Sequence, residues 1–394
     1  KKCPKCHGEA RSRGLKKKTI LSVCGSVQYR RTKYKCEQCG TTLYPFDDVL
    51  EVGRSKLSKR LCKISSMLFV FSPFVHTKRV IREMLNIDIS ETSLMNVSNR
   101  IGTRLYNTMD KKSRRPEQIQ SNVPSAKVLY IQADGAMTPI AMPGGVEYKE
   151  NKLGMVFSDN NIVHKTTKSG EERVEIKGKH FVSSIGEGVE RFKKMLYALA
   201  KEDGLHKASQ KVLICDGASW LSKMKDEYFP DAIQILDWYH AVDHLWQTAH
   251  ALFGENNIDK CKSWVEPQKE LLWNGKVDDV ITDLIKMGNG TKKNQTTIWQ
   301  LHGYFVSNRN NMRYDEYRKA GYYIGSGSIE SANKYIVANR LKQAGMRWEI
   351  KNANAMIWLR SKYFEDEWDE FWESMNIAEY IDQQELLWGN EKLA

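Results

Sequence analysis

Two aspartates each end a short apolar run and are followed by Gly-Ala. The segments are Ile131-Gln132-Ala133-Asp134-Gly135-Ala136 and Leu213-Ile214-Cys215-Asp216-Gly217-Ala218. An apolar strand stopping at Asp-Gly projects its carboxylate from the sheet rim, where open α/β sheets bind ligands. The glycine clears space for close approach to the backbone. A third acid, Glu330, stands in Gly325-Ser326-Gly327-Ser328-Ile329-Glu330-Ser331. It falls in the first turn of an expected helix, where the macrodipole favours an anion. A glutamate that only complements the dipole fits that position too. If the three carboxylates converge, they can hold two Mg²⁺ or Mn²⁺ ions about 3.5–4 Å apart. One ion then activates water or a 3′-hydroxyl, and the other steadies the leaving oxygen.

Four of the eight cysteines form two C-x-x-C turns, Cys3-Pro-Lys-Cys6 and Cys36-Glu-Gln-Cys39. Each turn presents two thiolates, and two such turns close a tetrahedron around structural zinc. The intervening chain is basic and strand-prone, with a turn at Cys24-Gly25-Ser26, so the segment reads as a zinc ribbon. Free or redox-active thiols are the alternative. Cys24 is then a strand residue outside the metal site, and His7 a weaker substitute ligand.

Asp237-Trp238-Tyr239-His240 follows a further apolar strand. His240 can donate to a phosphate or order Asp237 and a nearby helix. A buried, satisfied Asp237–His240 pair is the plainer reading, and a transition-metal site with His244 a third. Arg340, Lys342, Arg347 and Trp348 come soon after Glu330 and fit a grip on a phosphodiester backbone. A solvated basic face fits them as well.

The elements that must position these groups change character along the chain. Residues 50–115 carry apolar residues at helical spacing, with Ser90 and Thr92 as caps. The apolar run at 64–75 reads as a buried helix ending at Pro73. These helices suit a helix-turn-helix module or a plain dimerisation bundle. A polar, Pro-bounded connection follows at 111–124. From residue 127 the period becomes that of strands, at 127–133, 152–158, 179–185, 211–215 and 232–236. Helical patterns at 186–202 and 217–228 alternate with them, giving an α/β sheet domain. Residues 240–320 are helical, and their tryptophans read as core, with one or two able to stack on a base. A long helix is expected from about 325 to 345.

Lys and Arg number 61 against 48 Asp and Glu over 394 residues, a net charge of +13. Such an excess favours a polyanionic partner, nucleic acid being the commonest. The sequence shows no signal peptide, and its longest apolar run is too short to span a bilayer. That pattern leads to the expectation of a cytoplasmic, nucleoid-associated protein without membrane partners. The first residue is Lys1 rather than Met.

The block from Gly325 to Arg360 (GSGSIESANKYIVANRLKQAGMRWEIKNANAMIWLR) resembles the C-terminal block of the ISKra insertion-sequence transposases. The Asp-Gly-Ala around Asp134, KLGMVF at 152–157, the Asp-Gly-Ala around Asp216 and the Cys-containing basic N-terminus match that family in order. The resemblance implies an RNase H-like fold with Asp134, Asp216 and Glu330 as a DDE triad. It also implies that the helices before Glu330 are an insertion. Asp237 and His240 resemble a signature that several such groups show after the second Asp. The chain then divides into a zinc-ribbon-like domain (1–49) and a helical DNA-binding or dimerisation domain (50–122). An RNase H-like core (123–240) follows, then a helical insertion (241–320), the last part of the core with Glu330 (321–365) and a C-terminal helical tail (366–394). The expected function is metal-dependent cleavage and strand transfer on double-stranded transposon ends and target DNA, by a homodimer or larger assembly. A catalytically idle zinc-containing DNA-binding derivative and a stand-alone nuclease are the alternatives.

Overall fold

The computed structural model describes residues 1–53, 55–166, 170, 172–290 and 295–376. Two compact units are formed. Unit 1 comprises Lys1–Thr108, Pro139–Glu147 and Asn339–Ala394, and unit 2 comprises Met109–Thr138 and Tyr148–Ala338. Of the expected tail 366–394, everything beyond residue 376 lies outside the described residues. Among the described residues no helix is long and apolar enough to cross a membrane.

Unit 1 opens with an antiparallel hairpin, β1 (Ala10–Ser22) and β2 (Gly25–Cys36), to which a short β3 (Thr42–Leu43) is added. Helix α1 (Pro45–Val49) places the buried Asp47 against one face of this hairpin. Asp47 accepts from Tyr29 Oη at 2.7 Å and pairs with Arg31 at 2.8 Å and Lys18 at 3.2 Å. Three helices follow: α2 (Lys59–Phe69), α3 (Phe74–Leu85) and α4 (Glu91–Ser113). The apolar run at 64–75 is split between α2 and α3, because Pro73 starts the second helix rather than ending the first. Ser90 does cap α4, its Oγ accepting from the Ser93 amide at 3.1 Å. The helix Ile350–Tyr363 packs on α4 so closely that a Cβ at Gly102 would lie 1.9 Å from the Ala355 carbonyl oxygen.

Residues 339–376 fold with unit 1, so the stretch 321–365 is not one piece of a single core. This placement corrects two of the four residues expected on a DNA-facing surface. Arg340 is 1% exposed, donates through Nε to the Phe69 carbonyl at 3.1 Å and lies 4.8 Å from the centre of the Trp348 ring. Burial pulls its pKa down to about 10. Trp348 is buried beside it, while Lys342 and Arg347 remain exposed. The guanidinium therefore spends its donors and its flat face inside unit 1, where stacking on an aromatic ring suits Arg.

Unit 2 is built on a five-stranded mixed sheet. Its strands are β4 (Val128–Met142), β5 (Gly145–Ser158), β8 (His180–Ile185), β9 (Gln210–Cys215) and β10 (Ile233–Leu236), in the order β10-β9-β4-β5-β8. A separate pair, β6 (Ile162–Thr166) and β7 (Glu172–Ile176), lies between β5 and β8 in the chain. Strands β9 and β10 run parallel to β4, β8 runs antiparallel to β5, and Pro143-Gly144 turns β4 into β5. The central strands are buried almost continuously, Val128 to Ala133 on β4 and Val212 to Cys215 on β9, as strands covered on both faces require. Helices α5 (Val189–Glu202) and α6 (Ser219–Tyr228) supply the crossovers to β9 and β10.

After β10 come five helices: α7 (Trp238–Phe253), α8 (Ile258–Trp273), α9 (Val277–Gly290), α10 (Gln295–Asn308) and α11 (Tyr314–Lys319). Their tryptophans are less deeply placed than expected. Trp246 and Trp264 are half-buried, and Trp273 and Trp299 are more than one-third exposed. One reason is visible at Trp273, whose ring is covered by the Arg318 guanidinium at 3.8 Å. Amphipathic rings can lie under a cation at a helix surface without entering the core. The expected long helix after residue 325 is shorter in its regular part: α12 spans Gly327–Ala332 and passes into a π-helical segment, Asn333–Ala338.

Candidate active site and metal centre

The register of the three parallel strands decides where the acids stand. Gln132 on β4 pairs with Ile214 on β9, so Asp134 and Asp216, each two residues on, fall side by side. Leu236 on β10 pairs with Cys215, which sets Asp237 next in the same row. Neighbouring strands are about 4.8 Å apart, so the row Asp134–Asp216–Asp237 is compact. Asp216 and Asp237 follow the last residues of their strands. Asp134 does not, because β4 continues to Met142. The expected strand end at Asp134 is the end of its pairing with β9, beyond which β4 continues as one arm of a hairpin.

Glu330 is brought to this rim by a strap. Gln132 Nε2 donates to the Gly325 carbonyl at 3.0 Å, and Ser328 Oγ donates to Gln132 Oε1 at 2.7 Å. The Tyr323 amide donates to Tyr130 Oη at 3.1 Å. Ser326 then links two acids: its amide donates to Asp237 at 2.7 Å and its hydroxyl to Glu330 at 2.6 Å. The π-helical turn carries Asn333, whose amide donates to Asp134 Oδ2 at 2.7 Å, while the Gly135 amide donates to Oδ1 at 2.7 Å. A local change from α to π winding is a common device at functional sites.

Burial pushes the Asp134 carboxyl above its ordinary range. The Asp216 and Glu330 charges add to this, against the hydrogen bonds from Asn333 and Gly135. A buried carboxylate beside two further acids is a donor set whose repulsion a divalent cation would relieve. The rise has a testable sign. A folded carboxyl that holds its proton more tightly than the unfolded one loses stability as pH rises from about 3.9 through its raised value. Without divalent cation, the thermal stability of Asp134→Asn relative to the unsubstituted protein should therefore grow from about pH 4 to about pH 7. A difference flat in pH would remove the strained carboxylate from the account.

Asp237 and His240 are not a side-chain pair. Asp237 is fully buried and caps α7, accepting from the backbone amides of His240 at 2.8 Å and Tyr239 at 3.3 Å. Burial raises its pKa as well. The His240 ring instead lies edge-on to His244 at 5.0 Å, and His244 lies against the Tyr304 ring at 4.2 Å. Desolvation and the neighbouring His240 lower the His244 pKa. Tyr304 Oη donates to the Asp216 carbonyl at 2.9 Å. Gly217, at φ +89°, leaves room for this approach: a Cβ there would meet Asn308, Leu236 and Tyr304 at 3.0–3.1 Å. Gln132, Tyr304, Ser326 and Asn333 thus serve the rim, and the sequence singles out none of them. Only the i+3 spacing from Glu330 to Asn333, on one helical face, was there to be used.

In unit 1 the four thiols Cys3, Cys6, Cys36 and Cys39 lie with all sulfurs within 4.8 Å of one another. Cys3–Cys39 is 3.6 Å and Cys6–Cys36 is 3.5 Å. A tetrahedral zinc with Zn–S near 2.3 Å spaces its sulfurs by about 3.8 Å, so the cluster could hold a metal ion such as zinc. Hydrogen bonds from the Thr41 side chain and amide bring the Cys39 thiol down to about 6, while Cys39 and Cys36 push the Cys6 thiol up to about 12; a bound metal would need both as thiolates. Among the described residues these cysteines are the group gathered at that spacing. The carboxylates of the rim are engaged instead by Asn333 and Ser326.

Comparison with known proteins places the chain in a family. UPF0236 protein TTE0610/TTE0881/TTE1053/TTE2432 of Caldanaerobacter subterraneus subsp. tengcongensis is 22% identical over 348 residues, covering 87% of this chain and 67% of its own. UPF0236 protein TTE1650/TTE2708 of the same organism is 22% identical over 348 residues, and the chain spans 63% of its length. A third relative, with a name joining eleven such designations, is also 22% identical over 348 residues, with 67% of its length covered. The model described as "Uncharacterised protein family (UPF0236)" matches residues 11–374, and the chain belongs to that family.

Proposed function

We propose that the chain is a DNA transposase whose reaction centre is the rim formed by Asp134, Asp216 and Glu330. The observation that carries this reading is the strand register that sets Asp134 beside Asp216, with Glu330 strapped to the same rim. The sheet order supports an RNase H-like core, an antiparallel trio β8-β5-β4 extended by two parallel strands. The relative whose name joins eleven designations supports it too, since a sequence copied within one genome would accumulate such loci.

Held there, a pair of Mg²⁺ or Mn²⁺ ions would supply an activated oxygen nucleophile and stabilise the leaving oxygen. The protein's part is positional. Asn333 and Gly135 fix the Asp134 carboxylate, Tyr304 fixes the Asp216 backbone, and Ser326 ties Glu330 to the buried Asp237. No side chain need act as a nucleophile. The four thiols would hold structural zinc, and pairing two DNA ends would call for two or more copies of the chain. On this reading the protein would work on nucleoid DNA in the cytoplasm.

The reading is tested by incubating the purified chain and Mg²⁺ with end-labelled element DNA and a target plasmid. Labelled ends joined to the plasmid are the expected result. Cutting without joining favours a stand-alone nuclease, and binding without either reaction favours an idle derivative.

A further inference from the structure

The β1–β2 hairpin carries nine Lys and Arg and no Asp or Glu between residues 10 and 36. Register makes this costly. Arg11 stands opposite Lys35, Lys16 opposite Arg31 and Lys17 opposite Arg30. Like charges directly across an antiparallel pair destabilise it; Asp47 offsets one pair through Arg31 and Glu37 another through Arg11, which leaves Lys17 and Arg30 facing each other without an acid.

The two faces of the hairpin are treated differently. On the inner face Lys18 and Arg31 are consumed by the buried Asp47, with side chains 9% and 14% exposed. On the other face Lys17 and Arg30 are exposed, together with Thr19, Gln28 and Leu15. Among the described residues Arg13, Lys16, Lys17, Arg30 and Lys35 form no ion pair; only Arg11, of the exposed cations, has one, with Glu37 at 3.2 Å. The hairpin is thus held by one face and offers on the other the facing, unneutralised pair Lys17 and Arg30.

We propose that this ribbon is a duplex-DNA docking element, its outer face seated in the major groove with Lys17 and Arg30 against the phosphates. Thirteen residues at about 3.3 Å each give an arm roughly 40 Å long, and a two-stranded ribbon fits the roughly 12 Å width of the B-form major groove. The bulge between Ser12 and Leu15 adds twist to the strand, which suits it to follow a groove. Thr19 and Gln28 are neutral hydrogen-bonding groups towards the tip, able to meet base edges without repelling phosphate. The knuckles holding the four cysteines lie at the opposite end of the hairpin and fix its base. The inference rests on the DNA-directed reading of the chain, and uses none of its chemistry.

The test is equilibrium binding of a short labelled DNA duplex by the full chain, without Mg²⁺, across a salt series. The double variant Lys17→Gln/Arg30→Gln should bind roughly tenfold to a hundredfold more weakly near 0.1 M salt. Its slope of log K against log salt should be shallower by about 1.8, close to 0.9 per phosphate contact. Its melting temperature should match or exceed that of the unsubstituted chain, because a like-charge pair has been relieved. Lys17→Arg, which keeps the charge, should bind normally. An unchanged slope in the double variant overturns the proposal. So does equal binding of an A-form RNA duplex, whose narrow major groove cannot admit a ribbon. A chain that binds through the ribbon yet joins no ends would keep this inference and remove the transposase reading.

Discussion

On the transposase reading, Asp216→Asn is expected to abolish end joining, with a loss of about a thousandfold or more, while the fold and any DNA binding persist. The substitution removes one negative charge from the middle of the row Asp134–Asp216–Asp237 and keeps the shape. Asp216 Oδ1 accepts from the Ala218 amide at 2.9 Å, a bond an asparagine oxygen can retain. The link to Tyr304 uses the backbone carbonyl and survives any side chain. What disappears is a charged ligand between the other acids. Stabilising transition-state charge through a metal is worth several kcal/mol, and each 1.4 kcal/mol is tenfold in rate. Melting and duplex binding read the fold, and a labelled-end joining assay reads the chemistry. Full activity in the variant would take Asp216 out of the mechanism.

The second large effect is expected at the four thiols. Cys36→Ser, or removal of the metal by a chelator, should unfold the base of the β1–β2 hairpin and expose its Lys- and Arg-rich strands to trypsin. The apolar cluster there is small: Cys3, Ala10 and Cys36 are buried, with only Cys6, Tyr34 and Leu43 packed around them. So few side chains cannot offset the ordering of a long hairpin, and structural zinc contributes about 10–16 kcal/mol in small finger peptides. Metal analysis should give one zinc per chain for the unsubstituted protein and none for the variant. A Cys36→Ser protein with normal zinc content and unchanged proteolysis would show that the cluster is not a metal site. Unit 2, with its own buried sheet, should keep its fold in either case.

Much of the local pattern was readable in advance because it depends on near neighbours. Apolar runs of strand length marked β5, β8, β9 and β10, and Asp-Gly marked where β9 ends. Both C-x-x-C turns announced their cluster by spacing alone. The misreadings arise where distant segments meet. Asp134 looked like a strand end because Gly135 follows, yet β4 runs on as one arm of a hairpin whose partner lies beyond Pro143-Gly144. Arg340 and Trp348 looked like a surface grip because charge was read without knowing that residues 339–376 fold with unit 1. Tyr304 reaches Asp216 across 88 positions and Asn333 reaches Asp134 across 199. No periodicity reports such pairs.

The buried Asp237 carboxylate ends β10, caps α7 and receives the Ser326 amide, and the Trp238 amide donates to the Ile324 carbonyl at 3.1 Å. The helical segment from α7 to α11 therefore leaves the sheet at the same point to which the chain returns before Glu330. The helices between are held to the sheet at further points as well: Tyr304 Oη reaches the Asp216 carbonyl, and Tyr314 Oη donates to the Leu236 carbonyl at 3.1 Å. A change of helix length within that segment should therefore leave Glu330 in place only where Asp237, Tyr304 and Tyr314 keep their contacts. The row of acids and the helices that follow β10 are in this sense one mechanical unit.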